Sequence, residues 1–105
     1  MKILVCFASK GKTREEIESL RTSCARKASR AYKADGTEEI TVYDPFTLVT
    51  APIDGQKDSL AFVSDLIHLL LEVDAVYLAK GWSTDRYCKV IFNVCQQYGV
   101  KYISE

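Results

Sequence analysis

At 105 residues and 48% hydrophobic, the chain has the apolar content for one core and the length for one domain, residues 1–105, rather than two. Fourteen Lys/Arg balance fourteen Asp/Glu, which argues against general nucleic-acid binding. The charge is unevenly spread: residues 1–33 hold nine Lys/Arg against three Glu, and residues 35–74 hold one Lys against nine acids. Such runs read either as solvated helix faces or as a basic rim near the first loop. The cysteines Cys6, Cys24, Cys88 and Cys95 have no CxxC spacing and there is one His, so no metal site is expected. Reduced, buried thiols and a cytoplasmic, soluble protein are expected instead. The apolar start, residues 1–7, is too short for a signal peptide, and no stretch of about 18 apolar residues marks a membrane span.

The first element is the apolar run of residues 3–7, which predicts a buried parallel strand. Ser9-Lys10-Gly11-Lys12 follows, then Thr13-Arg14-Glu15-Glu16, whose Thr and Glu stand three apart as in a capping box, so a helix begins there. Ile17, Leu20, Cys24, Ala28 and Ala31 recur at helical spacing, and Asp35-Gly36 supplies a stop. Residues 39–43 predict a second strand, closed by Asp44-Pro45-Phe46 because Pro cannot donate to a ladder. The loop 47–57, with Pro52 and Gly55, is long for an α/β connection and predicts a lid or an oligomer contact. Asp58 or Ser59 caps a second helix running to residue 72, with Phe62, Leu66, Leu69 and Leu70 inward. His68 reads as structural, with a ligand or base role as the alternative.

Residues 75–79 are apolar throughout and predict a strand buried on both faces, which belongs to a parallel sheet with helices on each side. Lys80, Gly81, Trp82 and Asp85 form the loop beyond it. A third helix spans residues 86–98, with Tyr87, Ile91, Val94, Cys95 and Tyr98 inward and Gly99 as its stop; residues 100–103 predict the last strand. The βαβαβαβ order and right-handed crossovers predict a doubly wound parallel sheet ordered 2-1-3-4, with three or more flanking helices. Ligands of such sheets bind beyond the strands' carboxyl ends at the switch point, where three loops meet: 9–12, 44–46 and 80–85.

The first of these loops offers Ser9, Lys10, Gly11 and Lys12 before a capped helix N-terminus, a combination suited to phosphate or carboxylate. Trp82 reads either as a stacking surface for a flat base or sugar or as a ring folded onto the core. Asp65 reads as a hydroxyl-binding carboxylate or as a surface acid.

Two family resemblances arise from these residues. Residues 1–17, with Ala8-Ser9-Lys10-Gly11-Lys12-Thr13, resemble the start of a flavodoxin, whose first loop binds flavin phosphate. No flavin-stacking loop follows the second strand, so no cofactor is expected. Asp44-Pro45-Phe46, Asp65-Leu66 with Leu69-Leu70, Asp74-Ala75-Val76-Tyr77-Leu78, Gly81-Trp82, Cys88 and Tyr98-Gly99 span most of the chain. They resemble the nucleoside 2-deoxyribosyltransferase-like superfamily, in a branch of small domains common in bacterial and phage genomes.

That second resemblance implies a flavodoxin-like fold, homo-oligomers such as a dimer, and a nucleotide or nucleoside ligand at the strand ends. By position, Asp65 matches the aspartate that binds the sugar, and Asp85 sits where an acid or serine often stands. The family's nucleophilic Glu, expected nine residues after the Trp, is replaced by Ile91. Between Asp85 and Glu105 there is no acid, and the family's small residue two after the Asp85 position is Tyr87. N-glycoside cleavage through a covalent intermediate needs a carboxylate at the anomeric carbon.

The expected function is therefore a pseudoenzyme: a nucleotide-binding domain without catalytic residues, suited to sequestering a nucleotide signal. Its ligand-binding residues are Ser9, Lys10, Gly11, Lys12, Asp44, Phe46, Asp65, Lys80, Gly81, Trp82 and Asp85. Two alternatives stay open. One is a deoxynucleoside monophosphate glycosidase or transferase in which Asp85 is catalytic; the other is a protein-interaction domain using Trp82, Tyr87 and the 47–57 loop.

Overall fold

The computed structural model describes residues 1–8, 11–33, 39–44 and 56–105, with only the backbone of 56–59. Its elements are β1 (Lys2–Cys6), α1 (Arg14–Lys33), β2 (Thr41–Tyr43), α2 (Gln56–Leu69), β3 (Ala75–Leu78), a 3-10 turn (Trp82–Thr84), α3 (Arg86–Tyr98) and β4 (Tyr102–Ser104). All strand pairings are parallel and the order is β2-β1-β3-β4, the flavodoxin-like α/β arrangement. Leu4 sits between Tyr43 and Val76, and Val76 between Leu4 and Tyr102. No helix among the described residues is long and apolar enough to cross a membrane.

The period of two in the central strands divides the core into two layers. Leu4, Cys6, Val76 and Leu78 face α2 and α3, where they meet Phe62, Leu66, Leu69, Cys88, Ile91 and Cys95. Ile3, Val5, Phe7, Ala75, Tyr77 and Ala79 face α1, where they meet Cys24, Ala28 and Tyr32. Leu4, Leu66, Leu78 and Ile91 are at most 1% exposed, and burying each such side chain contributes roughly 1.5–3 kcal/mol.

Helix ends follow local chemistry. The Thr13 hydroxyl accepts from the Glu16 amide, and the Glu16 carboxylate accepts from the Thr13 amide, both at 3.2 Å. That exchange is the capping box, and it holds the Glu16 carboxyl below its usual range. At the other end of the chain, Gly99 closes α3 with φ 71°, a left-handed conformation in which its amide reaches the Cys95 carbonyl.

Several boundaries differ from the sequence reading. The second strand is confined to Thr41–Tyr43, and the last lies at Tyr102–Ser104 rather than 100–103. α2 begins at Gln56, so Asp58 and Ser59 lie within its first turn instead of capping it. It ends at Leu69, after which Leu70, Leu71 and Glu72 donate to carbonyls three residues back in tighter turns. Tyr98 is 82% exposed, not inward: it is the last residue of α3 and stands at the margin of the stripe that Cys88, Ile91 and Cys95 bury. The Asp35-Gly36 stop and the 47–55 part of the long loop lie outside the described residues.

In the apolar layer between α1 and the sheet, the buried Tyr32 hydroxyl donates to the Val76 carbonyl at 2.6 Å. Burial pushes the Tyr32 and Tyr77 hydroxyls up from 10.0 to about 12, with the Glu105 carboxylate adding to the rise at Tyr77. Because the folded-state values are raised, the stability these groups contribute is intact below the unfolded value of about 10 and is lost as pH rises through about 12. In an absorbance titration of the six tyrosines, Tyr32 and Tyr77 are expected to ionise last, together with the loss of helical circular dichroism. Ionisation of all six before unfolding contradicts this packing.

Candidate functional site at the carboxyl edge of the sheet

The switch point lies between β1 and β3, whose outgoing chains turn to opposite faces of the sheet. On the β1 side, Gly11 takes φ 77°, and Gly11 and Lys12 are exposed just before the capped N-terminus of α1. The first amides of a helix lack intrahelical acceptors and carry the positive end of its dipole. On the β3 side, Ala79 extends the pairing by donating to the Cys6 carbonyl at 2.9 Å. Lys80 and Gly81 are then exposed, and Gly81 has φ 92°, a conformation that strongly favours glycine.

That glycine starts a closed turn. Trp82 donates from its amide to the Ala79 carbonyl, Thr84 donates to Gly81 from both amide and hydroxyl, and Asp85 donates from its amide to Trp82. The Trp82 ring packs on Phe92 with centroids 4.6 Å apart, and its indole N–H donates to the Glu105 carbonyl at 3.0 Å. Phe92 in turn meets Tyr102 of β4. Trp82 is thus folded onto the β4 flank of β3, while Gly11 and Lys12 follow β1.

Asp85 is 5% exposed. Its Oδ1 accepts from the Tyr87 and Cys88 amides at 2.9 and 3.1 Å, and its carboxylate also takes a hydrogen bond from the Cys88 side chain. It is the N-cap of α3. Ile91 is fully buried in the layer under α2 and α3; it faces the core and not a cleft. Tyr87, beside it, packs edge-on against Phe62 at 4.8 Å.

Asp44 reaches the edge at the end of β2 and pairs with Arg21 of α1 at 3.1 Å. Asp65 is exposed nine residues into α2, roughly 13 Å along the helix axis from Gln56. The structure therefore brings Gly11, Lys12, Asp44, Lys80 and Gly81 to one edge, fixes Trp82 and Asp85 into the fold, and leaves Asp65 away from it. Ser9, Lys10 and Phe46 lie outside the described residues. Among the described residues no cluster of His, Cys, Asp or Glu has the makings of a metal site.

The sequence reading missed Glu105. Its carboxylate accepts from the Lys80 amide at 2.7 Å and from the Tyr77 side chain, and these bonds hold its pKa below the usual range. An anion thus already sits on the β3 loop. The only signal for it was topological, since the residue after β4 must emerge beside the end of β3.

The thiols near the site are inert. Burial, then the neighbouring Cys95 and Asp85, push the Cys6 thiol far above its usual range. Burial with Cys6 and Asp85 does the same to Cys88, and burial raises Cys95 to about 11. They remain protonated, and the thiolate is the reactive form.

Comparison with protein-family models, with curated proteins and with solved structures finds no match to this chain.

The cap makes a direct prediction for stability. Asp85→Ala strands two amides at a buried helix start and is expected to cost about 2 kcal/mol in urea unfolding. Asp85→Asn retains an acceptor and is expected to cost less than half as much. Equal losses for the two variants would place the role of Asp85 in its charge and not in the cap.

Proposed function

We propose that this domain binds a nucleotide-like anion at the carboxyl edge of β1 and β3 and does not turn it over. The observation that carries the reading is the composition of that edge. Among the described residues its exposed groups include the cations Lys12 and Lys80 beside Gly11 and Gly81, with the α1 N-terminus behind them, while the carboxylates there, Asp44 and Glu105, are engaged by Arg21 and by the Lys80 amide. Among the described residues, the acids that the resemblance would assign to glycoside chemistry are not free at this edge. Asp85 is occupied as a cap, Ile91 stands at the nucleophile position of the resembled family, and Asp65 lies well down α2.

In this reading the phosphate is recognised by Lys12, Lys80, the α1 amides and the first-loop Ser9 and Lys10. Trp82 acts by fixing the β3 loop and not by stacking with the first loop's ligand. The reading includes a homo-oligomer, as in the superfamily the sequence resembles. A catalytic Asp85 is the weaker reading, because a general base or nucleophile needs a lone pair directed at substrate, and the Asp85 carboxylate is directed at the α3 amides.

Calorimetry with a panel of deoxynucleoside monophosphates tests it. Lys12→Ala with Lys80→Ala is expected to weaken binding about tenfold or more at low salt and to flatten its salt dependence, since exposed charges are screened within about 8 Å at physiological ionic strength. No free base is expected by chromatography. Absence of heat with every nucleotide removes the binding reading, and base release abolished by Asp85→Asn replaces it with the enzymatic one.

A further inference from the structure

α2 buries one stripe, Phe62, Leu66 and Leu69, and its opposite stripe is also apolar. Leu60 is 69% exposed, Ile67 38% and Leu71 80%. With Ser64 they follow a 4-3-4 spacing, that of successive d and a positions in a heptad. The tighter turns after Leu69 keep Leu71 on this face, through the bond from its amide to the His68 carbonyl at 3.1 Å. The flanking e and g positions are Ala61, Val63, His68 and Leu70. No Lys, Arg, Asp or Glu occurs among these eight positions.

A helix face that water covers looks different, and α1 shows how. Its exposed positions include Arg14, Glu15, Glu18, Arg26, Lys27, Arg30 and Lys33. The neutral outer face of α2 continues towards α3: the Phe62–Tyr87 contact identifies the α3 flank that meets α2, and half-buried Val90 and Val94 and exposed Tyr98 fall on that flank.

We propose that this face is the seam of a homodimer in which α2 packs antiparallel against α2 of a second copy. The pattern is self-complementary, as a two-fold interface requires. In antiparallel register Leu60 meets the partner's Leu71, and small Ser64 meets the partner's larger Ile67, with each contact repeated about the axis. Leu60, Ile67, Leu71 and Tyr98 together expose on the order of 500 Å². A stable interface needs about 800 Å² per partner, so these residues form the apolar centre, and Val63, Val90, Val94 and the polar residues around them complete it. A net charge of zero leaves no long-range repulsion between copies. The proposal locates the contact of the homo-oligomer, and its test reads assembly alone, without ligand.

Sedimentation of the full chain at tens of micromolar is expected to give twice 11.8 kDa. Leu60→Lys with Leu71→Lys, both at exposed positions, is expected to raise the dissociation constant at least about tenfold with an unchanged circular dichroism spectrum. Ser64→Cys supplies an independent measurement. All four native thiols are buried, so a short bis-maleimide is expected to link two copies through the new thiol and to leave the wild type unlinked. A wild type that stays monomeric, a dimer that survives the double lysine change, or a Ser64→Cys dimer that does not crosslink overturns the seam.

Discussion

Burial of β1 and β3 on both faces is the constraint on which the rest of the fold depends. Neither strand has a polar side chain between Ile3 and Cys6 or between Ala75 and Leu78 apart from Tyr77, and each of these residues is at most 3% exposed. A strand with two apolar faces needs helices above and below it. Small residues answer this requirement on the α1 side: Ala28, Ala75 and Ala79 let one helix sit close across β1 and β3, and Tyr32 fills the space near the bottom of the sheet. On the other side two helices share a wider layer built from Leu, Ile, Phe and Cys. The same constraint places the edge glycines, because chains leaving adjacent strands for opposite faces must diverge sharply at Gly11 and Gly81.

The polar groups at that edge are divided between architecture and solvent. Asp85, Trp82 and Glu105 look from their types like site residues, yet each has a structural partner: the α3 amides, Phe92 with the Glu105 carbonyl, and the Lys80 amide. Among the described residues every buried side-chain polar atom is hydrogen-bonded, so the interior holds no stranded group awaiting a ligand. The accessible groups without such a partner among the described residues include Lys12 and the Lys80 side chain, which is the physical basis for proposing the edge as a place that receives an anion.

Much of this fold was legible in the sequence, because its signals were local. The Thr13/Glu16 pair, the Gly99 stop and the apolar runs each act within a few residues, and together with crossover handedness they specify order 2-1-3-4. The site was less legible. Trp82 reads from its type as a stacking surface, and its contacts with Phe92 and the Glu105 carbonyl, residues ten and more positions away, are not written in its own neighbourhood. Asp85 was placed at the start of the third helix, but its burial required knowing that Cys6 and Cys88 close around it. Tyr98 kept helical spacing with Cys95 and still faced water, since periodicity places a residue near a stripe and does not tell how far the buried width of that stripe reaches.

On the proposed function, Glu105 limits which anions the edge would take. Its carboxylate, held ionised by the Lys80 amide and the Tyr77 hydroxyl, is an intramolecular anion on one flank of β3. An incoming phosphate on the β1 flank would feel that negative charge, so binding there depends on the two lysines and the α1 amides outweighing it. In a dielectric near that of water a single charge at such a distance changes binding only modestly, and the lysine side chains are free to move towards the ligand while Glu105 is anchored on the far side. On the proposed reading the balance would favour a ligand with more than one negative charge over a simple carboxylate, because added charge gains from each lysine at the edge and is opposed by carboxylates that already have partners, Glu105 on the Lys80 amide and Asp44 on Arg21.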